Sequence, residues 1–321
     1  YSGYLDTQKD KHYFFWFFES RSKPSTDPII LWINGGPGCT SFKGLLTENG
    51  PCRLDSSGNN TVINPYSWNN NANIVYLDQP LGVGYSYGNN GANTTVTAAE
   101  QVYVFLQLFF HKFPKYKNLD FHVTGESYGG HYIPAIGKVI NDKNKKSHNS
   151  KINLKSIAIG NGDPNASVLY ESYPTMACNS TYSPVLPQST CNSMIKNLPK
   201  CKSMIEKCNK DKNVEICVNA TNYCYSITSE IYSNSGLDIY DVRTKANTTG
   251  IYDADPSNNF APFLNRTDIK EILGADISID FNATLCSGDV FDAFVANGDE
   301  VKDFQQDVAE LLNDGIRALI Y

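Results

Sequence analysis

One serine in this sequence lies in a setting that suits a nucleophile. Ser127 is the centre of the stretch Gly125-Glu126-Ser127-Tyr128-Gly129, which follows an apolar run and precedes a helix-like segment. A G-x-S-x-G pattern between a strand and a helix is typical of the sharp turn that exposes a serine hydroxyl, and its glycines relieve crowding there. The dipole of the helix that follows would favour developing negative charge. An ordinary turn is the alternative, and the flanking elements favour the nucleophile.

A second glycine-rich segment suits the stabilisation of an oxyanion. Residues 31–41 read LWINGGPGCTS, so an apolar strand runs directly into three glycines and a proline. In an α/β architecture a loop after an early strand supplies one backbone amide, here that of Gly36, beside the amide of Tyr128. A tight turn or a phosphate-binding loop is the alternative, but the loop matches neither G-x-G-x-x-G nor a P-loop.

Short strands and helices would position these residues. Apolar runs of four or five residues suit strands that are buried on both faces of a sheet. They occur at residues 29–33, 74–77, 121–124, 156–159 and 318–321, and a strand nearer the edge is predicted at 13–18. A capping box at Thr97 to Glu100 and a stop at Pro114 predict one helix, and a second is predicted from Ser127 to about Lys138. This alternation predicts a mostly parallel sheet with crossover helices.

The composition of the chain changes near residue 165. Asn, Ser, Tyr and Cys dominate from there, and the strand and helix patterns return only near the end of the sequence. We therefore predict an α/β core over residues 1–164, an insertion over 165–301, and a return to the core over 302–321. A polar surface loop is predicted from Asn141.

The cysteines of the insertion have a spacing that predicts disulfides. Two pairs of cysteines are each seven residues apart, which places both members of a pair on one helical face. In an antiparallel helical hairpin, opposed positions keep a constant sum of residue numbers. A metal site is the alternative, but no histidine lies nearby and the spacing differs from that of zinc sites. The spacing predicts the nested bridges Cys201–Cys224 and Cys208–Cys217, with Cys178–Cys191 closing a neighbouring loop.

Composition and charge exclude several classes of partner. The chain has 321 residues, a net charge of −6 and a pI of about 5.4, with its acidic and basic residues interspersed. This pattern does not favour nucleic-acid binding. The longest apolar run falls short of the ~20 residues that span a bilayer. The sequence begins without Met or a leader, and we expect any targeting segment to lie outside it.

Cysteine density and glycosylation sequons together favour the secretory pathway, and a vacuole-like compartment or secretion as the destination. The N-x-S/T sequons begin at Asn59, Asn93, Asn165, Asn179, Asn219, Asn247, Asn265 and Asn282.

Four motifs in this order carry a family resemblance: NGGPGC, YLDQPLGVGYSY, GESYGGHYIP and IGNGDPN. The sequence resembles the serine carboxypeptidases, closely up to about residue 165 and more loosely beyond it. The resemblance implies an α/β-hydrolase fold with a mostly parallel central sheet and a disulfide-rich, largely helical insertion (cap) domain. It also implies an exopeptidase that acts on peptide and protein C-termini in acid, with neither cofactor nor metal.

The resemblance assigns roles to particular residues. Ser127 corresponds to the nucleophile, and Gly36 and Tyr128 correspond to the oxyanion-hole amides. A disulfide Cys39–Cys286 is implied, which leaves Cys52 without a partner. A buried glutamic acid that keeps its proton can donate to a carboxylate. The resemblance implies that a group of four residues binds the substrate carboxylate: Asn34, Gly35, Glu48 and Glu126. Without the resemblance, we would interpret the two glutamates as surface acids and Asn34 as a turn residue.

The base that Ser127 requires is not evident in this sequence. His131 lies one turn along the predicted helix and His148 lies in a polar loop, so neither suits that role. In the family, the acid and the histidine follow in segments that correspond to positions after residue 321. We expect a further segment or a second chain to complete the triad. The alternatives are a truncated, inactive relative that acts as a binding or protective module, or an acyltransferase or hydroxynitrile lyase on the same scaffold.

Overall fold

The computed structural model describes residues 1–146, 151–246, 260–281 and 285–321. The strands of this part of the chain are β1 Ser2–Gln8, β2 Lys11–Phe18, β3 Ile29–Ile33, β4 Cys52–Leu54, β5 Thr61–Ile63, β6 Asn73–Leu77, β7 Tyr87–Gly88, β8 Phe121–Glu126, β9 Leu154–Gly160 and β10 Arg317–Ile320. The α-helices are α1 Thr95–Lys112, α2 Gly129–Lys146, α3 Ala166–Cys178, α4 Gln188–Asp211, α5 Val214–Ile227, α6 Ser229–Ser233, α7 Ala261–Leu264, α8 Thr267–Leu273, α9 Gly288–Ala296 and α10 Gln305–Asn313.

Eight of the described strands form one sheet in the order β1-β2-β6-β3-β8-β9-β10, with β7 paired to β2. Neighbouring strands are parallel along β6-β3-β8-β9-β10, and the pairs β1-β2, β2-β6 and β2-β7 are antiparallel. The central strands are buried on both faces, which explains their continuous apolar runs. The predicted mostly parallel sheet is therefore confirmed, and the carboxyl ends of β3 and β8 lie side by side.

Two local predictions were wrong. The first crossover helix begins at Thr95 and not at a capping box on Thr97, because the side chain of Thr94 accepts the amide of Thr97 and caps the helix three residues earlier. The segment from Asn141 is not a loop at its start, since α2 continues to Lys146. Its polar residues form the last, lysine-rich turn of that helix, where cations suit the helix dipole.

The described chain separates into two units. The first comprises residues 1–164, 255–293 and 304–321, and the second comprises 165–254 and 294–303. The first boundary coincides with the predicted start of the insertion. The described residues 260–281 and 285–293, which we predicted within the insertion, group with the first unit. Two contacts join this segment to the rest of the first unit: the Tyr85 hydroxyl donates to the carbonyl of Leu264, and the ring of Phe42 stacks on that of Phe281.

The second unit is helical and is bridged by disulfides. Helices α4 and α5 form the predicted antiparallel hairpin, whose half-cystines are buried with Tyr170 and Ile205. The disulfides of the structure are the same four pairs that spacing and resemblance predict: Cys201–Cys224, Cys208–Cys217 and Cys178–Cys191 in this region, and Cys39–Cys286 in the first unit. Cys52 keeps a free thiol.

Helix length and polarity bear on membrane insertion. Within the described ranges, no helix combines the length and the apolar content that crossing a bilayer requires.

Candidate active site

Ser127 occupies a strained turn between β8 and α2. Its φ is 57°, a left-handed conformation that costs a residue other than glycine about 1 to 2 kcal/mol, and its side chain is exposed. A Cβ on Gly125 would lie 2.3 Å from the carbonyl oxygen of Ile33, so only glycine fits there. The turn therefore holds the serine hydroxyl clear of the sheet, as a nucleophile requires.

The turn after β9 supports Ser127 through its backbone. The amide of Ser127 donates to the carbonyl of Gly160 at 3.0 Å, and the amide of Asp163 donates to the carbonyl of Ser127 at 3.3 Å. A Cβ on Gly130 would lie 2.2 Å from the nitrogen of Asp163. The motif IGNGDPN thus positions the serine turn. The sequence marked this motif as part of the family resemblance but did not indicate its contact with Ser127.

The glycine-rich loop after β3 lies against the serine turn. A Cβ on Gly35 would lie 2.4 Å from the amide nitrogen of Tyr128 and 3.0 Å from Cβ of Ser127. Gly36 follows with a φ of 115°, and a Cβ there would lie 2.7 Å from the amide nitrogen of Cys39. The two segments predicted to form an oxyanion hole are therefore in contact.

A buried carboxyl that the sequence analysis did not identify anchors this loop. Asp78 accepts hydrogen bonds from the Thr40 hydroxyl at 2.5 Å, the Ser41 amide at 3.2 Å and the Tyr85 amide at 3.1 Å. Burial raises the pKa of Asp78 to about 7, against these three donors. The motif YLDQPLGVGYSY contained the signal, since a carboxyl that directly follows a buried strand needs internal donors.

The residues implied to bind a carboxylate converge on Asn34, which is buried at the end of β3. Its amide nitrogen donates to Oε1 of Glu126 at 2.7 Å and to Oε1 of Glu48 at 3.3 Å. Its Oδ1 accepts from Trp32 Nε1 at 2.8 Å and from the Gly44 amide at 2.9 Å, so the orientation of the amide is fixed. Two carboxyls from separate elements thus share one amide group.

A single π-helical turn, Gly44–Glu48, brings Glu48 to this group. The amide of Asn49 donates to the carbonyl of Gly44 at 2.9 Å, which is the i to i+5 bond of a π-turn. Burial raises the pKa of Glu48 to about 7; the neighbouring Glu126 adds to the effect, and Lys43 opposes it. Glu48 therefore carries a proton in acid and can donate it to an acceptor.

Lys43 is a cation in this group that the sequence analysis missed. Its Nζ lies 3.4 Å from Oε1 of Glu126, and both side chains are 26% exposed. Since Lys43 and Glu126 are 83 residues apart and belong to different elements, no local pattern could have indicated the pair.

His131 lies in the core of the first unit, as its predicted structural role requires. It is fully buried, and its ring centroid is 4.3 Å from that of Tyr128 and 4.9 Å from that of Phe304. Its Nε2 is 3.9 Å from Oδ2 of Asp163. His148 lies outside the described residues.

The sequons differ in their surroundings. Asn265 exchanges two hydrogen bonds with the backbone of Phe281, and Asn165 caps α3 by accepting the amide of Val168. Asn247 and Asn282 lie outside the described residues. Among the sequons in the described residues, the exposed asparagines are Asn59, Asn93, Asn179 and Asn219.

A serine on a strand-to-helix turn, set beside a glycine loop at the carboxyl edge of a mostly parallel sheet, is the arrangement of an α/β-hydrolase fold. A family model described as serine carboxypeptidase matches residues 1–321, and the chain belongs to that family.

Relatives and a solved structure agree with this assignment. The chain is 44% identical over 324 residues to a vacuolar serine-type carboxypeptidase of Saccharomyces cerevisiae, with all of this chain and 62% of the relative covered. It is 43% identical to carboxypeptidase Y of Candida albicans, with all of this chain and 58% of the relative covered. A crystal structure of a prohormone-processing carboxypeptidase from S. cerevisiae matches with a TM-score of 0.83 and 25% identity, covering all of this chain and 72% of the other. The chain spans about three fifths of the length of these curated relatives.

Proposed function

We propose that the whole protein is a serine carboxypeptidase that releases C-terminal residues from peptides through an acyl-enzyme on Ser127. The observation that carries the proposal is the contact between two sites. The serine turn adjoins Gly35, and the preceding residue, Asn34, holds the two glutamates that would bind a terminal carboxylate.

The chemistry follows from this arrangement. The Ser127 oxygen attacks the carbonyl carbon of the last peptide bond and loses its proton to a base. The resulting oxyanion accepts hydrogen bonds from the amides of Gly36 and Tyr128. The C–N bond then breaks, the departing amino acid takes the proton, and water hydrolyses the ester in a second cycle.

An acidic optimum is supported by the state of Glu48. The pKa of Glu48 is raised to about 7, so in mild acid this side chain presents an O–H donor to the substrate carboxylate. Above that pH it becomes a carboxylate and repels the substrate. The residues proposed to bind a carboxylate also favour hydrolysis of free C-termini over the acyltransferase and lyase alternatives.

We infer that the histidine and the acid of the triad come from a further segment or a second chain. His131 is buried among Tyr128 and Phe304 and is therefore not placed to serve as the base. Leu319 and Ile320 on β10 are 58% and 55% exposed although they point to opposite faces of the sheet. Apolar exposure on both faces of a strand supports a covering segment.

We also propose a vacuole-like compartment or secretion, with glycans on the exposed sequons. Four disulfides favour an oxidising compartment, and a relative is named as vacuolar. Glycans are expected at Asn59, Asn93, Asn179 and Asn219, and not at Asn265, whose amide is engaged by Phe281.

The test is fluorophosphonate labelling of the full-length protein at mildly acidic pH, with peptide mapping of residues 125–129 and a parallel assay of amino acid release from an N-blocked dipeptide. We expect a stoichiometric adduct on Ser127 and loss of both signals in Ser127→Ala. A folded full-length protein that neither labels nor releases amino acid would overturn the proposal and favour a binding module.

A further inference from the structure

We propose that Lys43 is a substrate-binding residue of this site, the cation that receives the terminal carboxylate of the peptide together with Glu48 and Asn34. The inference rests on the proposed function and adds a charged member to its carboxylate-binding group. The site would then select its substrates partly by charge, so that peptides with a free carboxylate are favoured over esters with the same acyl group.

The position of Lys43 carries the inference. Its Nζ lies 3.4 Å from Oε1 of Glu126, the same oxygen that accepts from the Asn34 amide at 2.7 Å. Lys43 directly precedes the π-turn that ends at Glu48, and the hydroxyl of Thr47 donates to its carbonyl at 2.8 Å. The ammonium therefore lies within the group that would hold the carboxylate.

Charge balance gives Lys43 a function there. Lys43 adds a basic side chain to a group whose other ionisable members, Glu48 and Glu126, are acids. Without Lys43, the group would present only acidic side chains to the anion that it binds. An ammonium has three N–H donors, so it can donate to Glu126 and to a substrate carboxylate together.

Three other titratable groups face this site, and the pKa of each is raised. The pKa of Tyr321 is raised by burial and then by Glu48 and Glu126, and the pKa of Tyr76 is raised by burial and then by Glu48 and Cys52. The Cys52 thiol has its pKa raised by burial, so all three are neutral below pH 8. Among these neighbours the charge that changes between pH 5 and 8 is that of Glu48.

The experiment compares two substrates of the full-length protein. One is an N-blocked dipeptide, and the other is the ethyl ester of the same blocked amino acid, which has no carboxylate on its leaving group. We expect Lys43→Met to raise KM for the dipeptide by at least about tenfold, the lower end of the value of a charge-assisted hydrogen bond, and to leave KM for the ester unchanged. Lys43→Arg should restore most of the loss.

The pH profile gives a second readout. Because Lys43 opposes the upward shift of the Glu48 pKa, its removal should move the rise in dipeptide KM to higher pH. Lys138→Met is the matched control, since that lysine pairs with Glu310 at 2.6 Å on the surface of the same unit. Should Lys43→Met fail to fold, as ester hydrolysis would reveal, Lys43→Gln provides the same contrast.

The outcomes separate the two proposals. A wild-type protein that hydrolyses neither substrate contradicts the proposed function itself. A wild-type enzyme that is active on both, with Lys43→Met matching Lys138→Met on the dipeptide, or with a Lys43→Met or Lys43→Gln variant of wild-type melting temperature losing equally on both substrates, overturns the role of Lys43 alone.

Discussion

The side-chain amide of Asn34 donates to Oε1 of Glu126 at 2.7 Å and joins the carboxyl ends of β3 and β8 across the sheet. The bond connects two motifs that are 92 residues apart in the chain. It also places a hydrogen-bond donor and two carboxyls at one point directly beside the serine turn, because Asn34 and Gly35 are consecutive.

Replacing Asn34 tests whether this donor binds the substrate. Asn34→Asp keeps the acceptor for Trp32 and Gly44 but turns the shared donor into a third carboxyl. We expect kcat/KM for an N-blocked dipeptide to fall roughly 10- to 100-fold, the value of a hydrogen bond to a charged group. Hydrolysis of the matching ester should change little. An equal loss on both substrates would instead indicate a damaged serine turn.

Glu48→Gln tests the proton that this site is expected to hold. The wild-type side chain donates below its pKa of about 7 and repels a carboxylate above it, so dipeptide KM should rise by up to about tenfold per pH unit beyond pH 7. A glutamine amide donates at every pH. We therefore expect a flat KM profile from pH 5 to 8 in the variant, and an unchanged slope would show that another group titrates.

The sheet could be predicted from the sequence because its central strands are buried on both faces and form uninterrupted apolar runs. The start of α1 could not be placed correctly, because Thr94 and Thr97 are both possible caps and only the backbone conformation decides between them. The hairpin disulfides followed from helical spacing alone. Cys39–Cys286 came from the resemblance, since 247 residues separate its members.

The site was accessible to sequence reasoning only where a motif marked it. Ser127 and its glycines form a local pattern, so the amino-acid sequence alone predicts the turn. Lys43 could not be assigned a role, because its partner Glu126 lies 83 residues away. For Asp78 the motif indicates that internal donors are needed, but it does not identify Thr40, which lies 38 residues away. Long-range partners of single charged residues depend on strand order, which no short pattern encodes.

Backbone strain at Ser127 predicts a trade of stability for function. Ser127→Gly and Ser127→Ala both remove the hydroxyl, but only glycine adopts a φ of 57° without strain. We expect both variants to be inactive, and Ser127→Gly to be more stable than Ser127→Ala by about 1 kcal/mol in urea denaturation. Equal stabilities would mean that the turn relaxes when the hydroxyl is lost.

Acids whose pKa values are raised in the folded state predict a protein that is more stable in acid than at neutral pH. Burial raises the pKa values of Asp78, Glu48 and Glu300 to about 7, above their unfolded values of 3.8 or 4.5. Between about pH 4.5 and 7 the folded state therefore binds more protons than the unfolded state, and the free energy of unfolding falls as pH rises through this window, by at most about 1.4 kcal/mol per pH unit for each group.

Calorimetry at pH 5 and pH 7.5 should show the higher melting temperature at pH 5. Glu300→Gln cannot ionise, so it should reduce the difference between the two melting temperatures. The interpretation fails if the wild-type protein melts at a higher temperature at pH 7.5.

Asp78→Asn tests how the oxyanion loop is held. The variant keeps the size of the side chain and an acceptor for Thr40, but its NH₂ group cannot accept the amide of Tyr85, which leaves a buried donor unpaired at a cost of about 1 to 3 kcal/mol. A small displacement of the loop that contains Gly36 weakens contacts made only in the transition state. We therefore expect kcat to fall about tenfold with KM nearly unchanged. Because the loop serves every acyl group, kcat should fall equally for the dipeptide and the ester, in contrast to Lys43→Met.

Thr40→Val, which removes one of the three donors to Asp78, should give a smaller loss of kcat in the same direction. A normal kcat in Asp78→Asn would show that the disulfide to Cys286 and the backbone are sufficient to hold the loop.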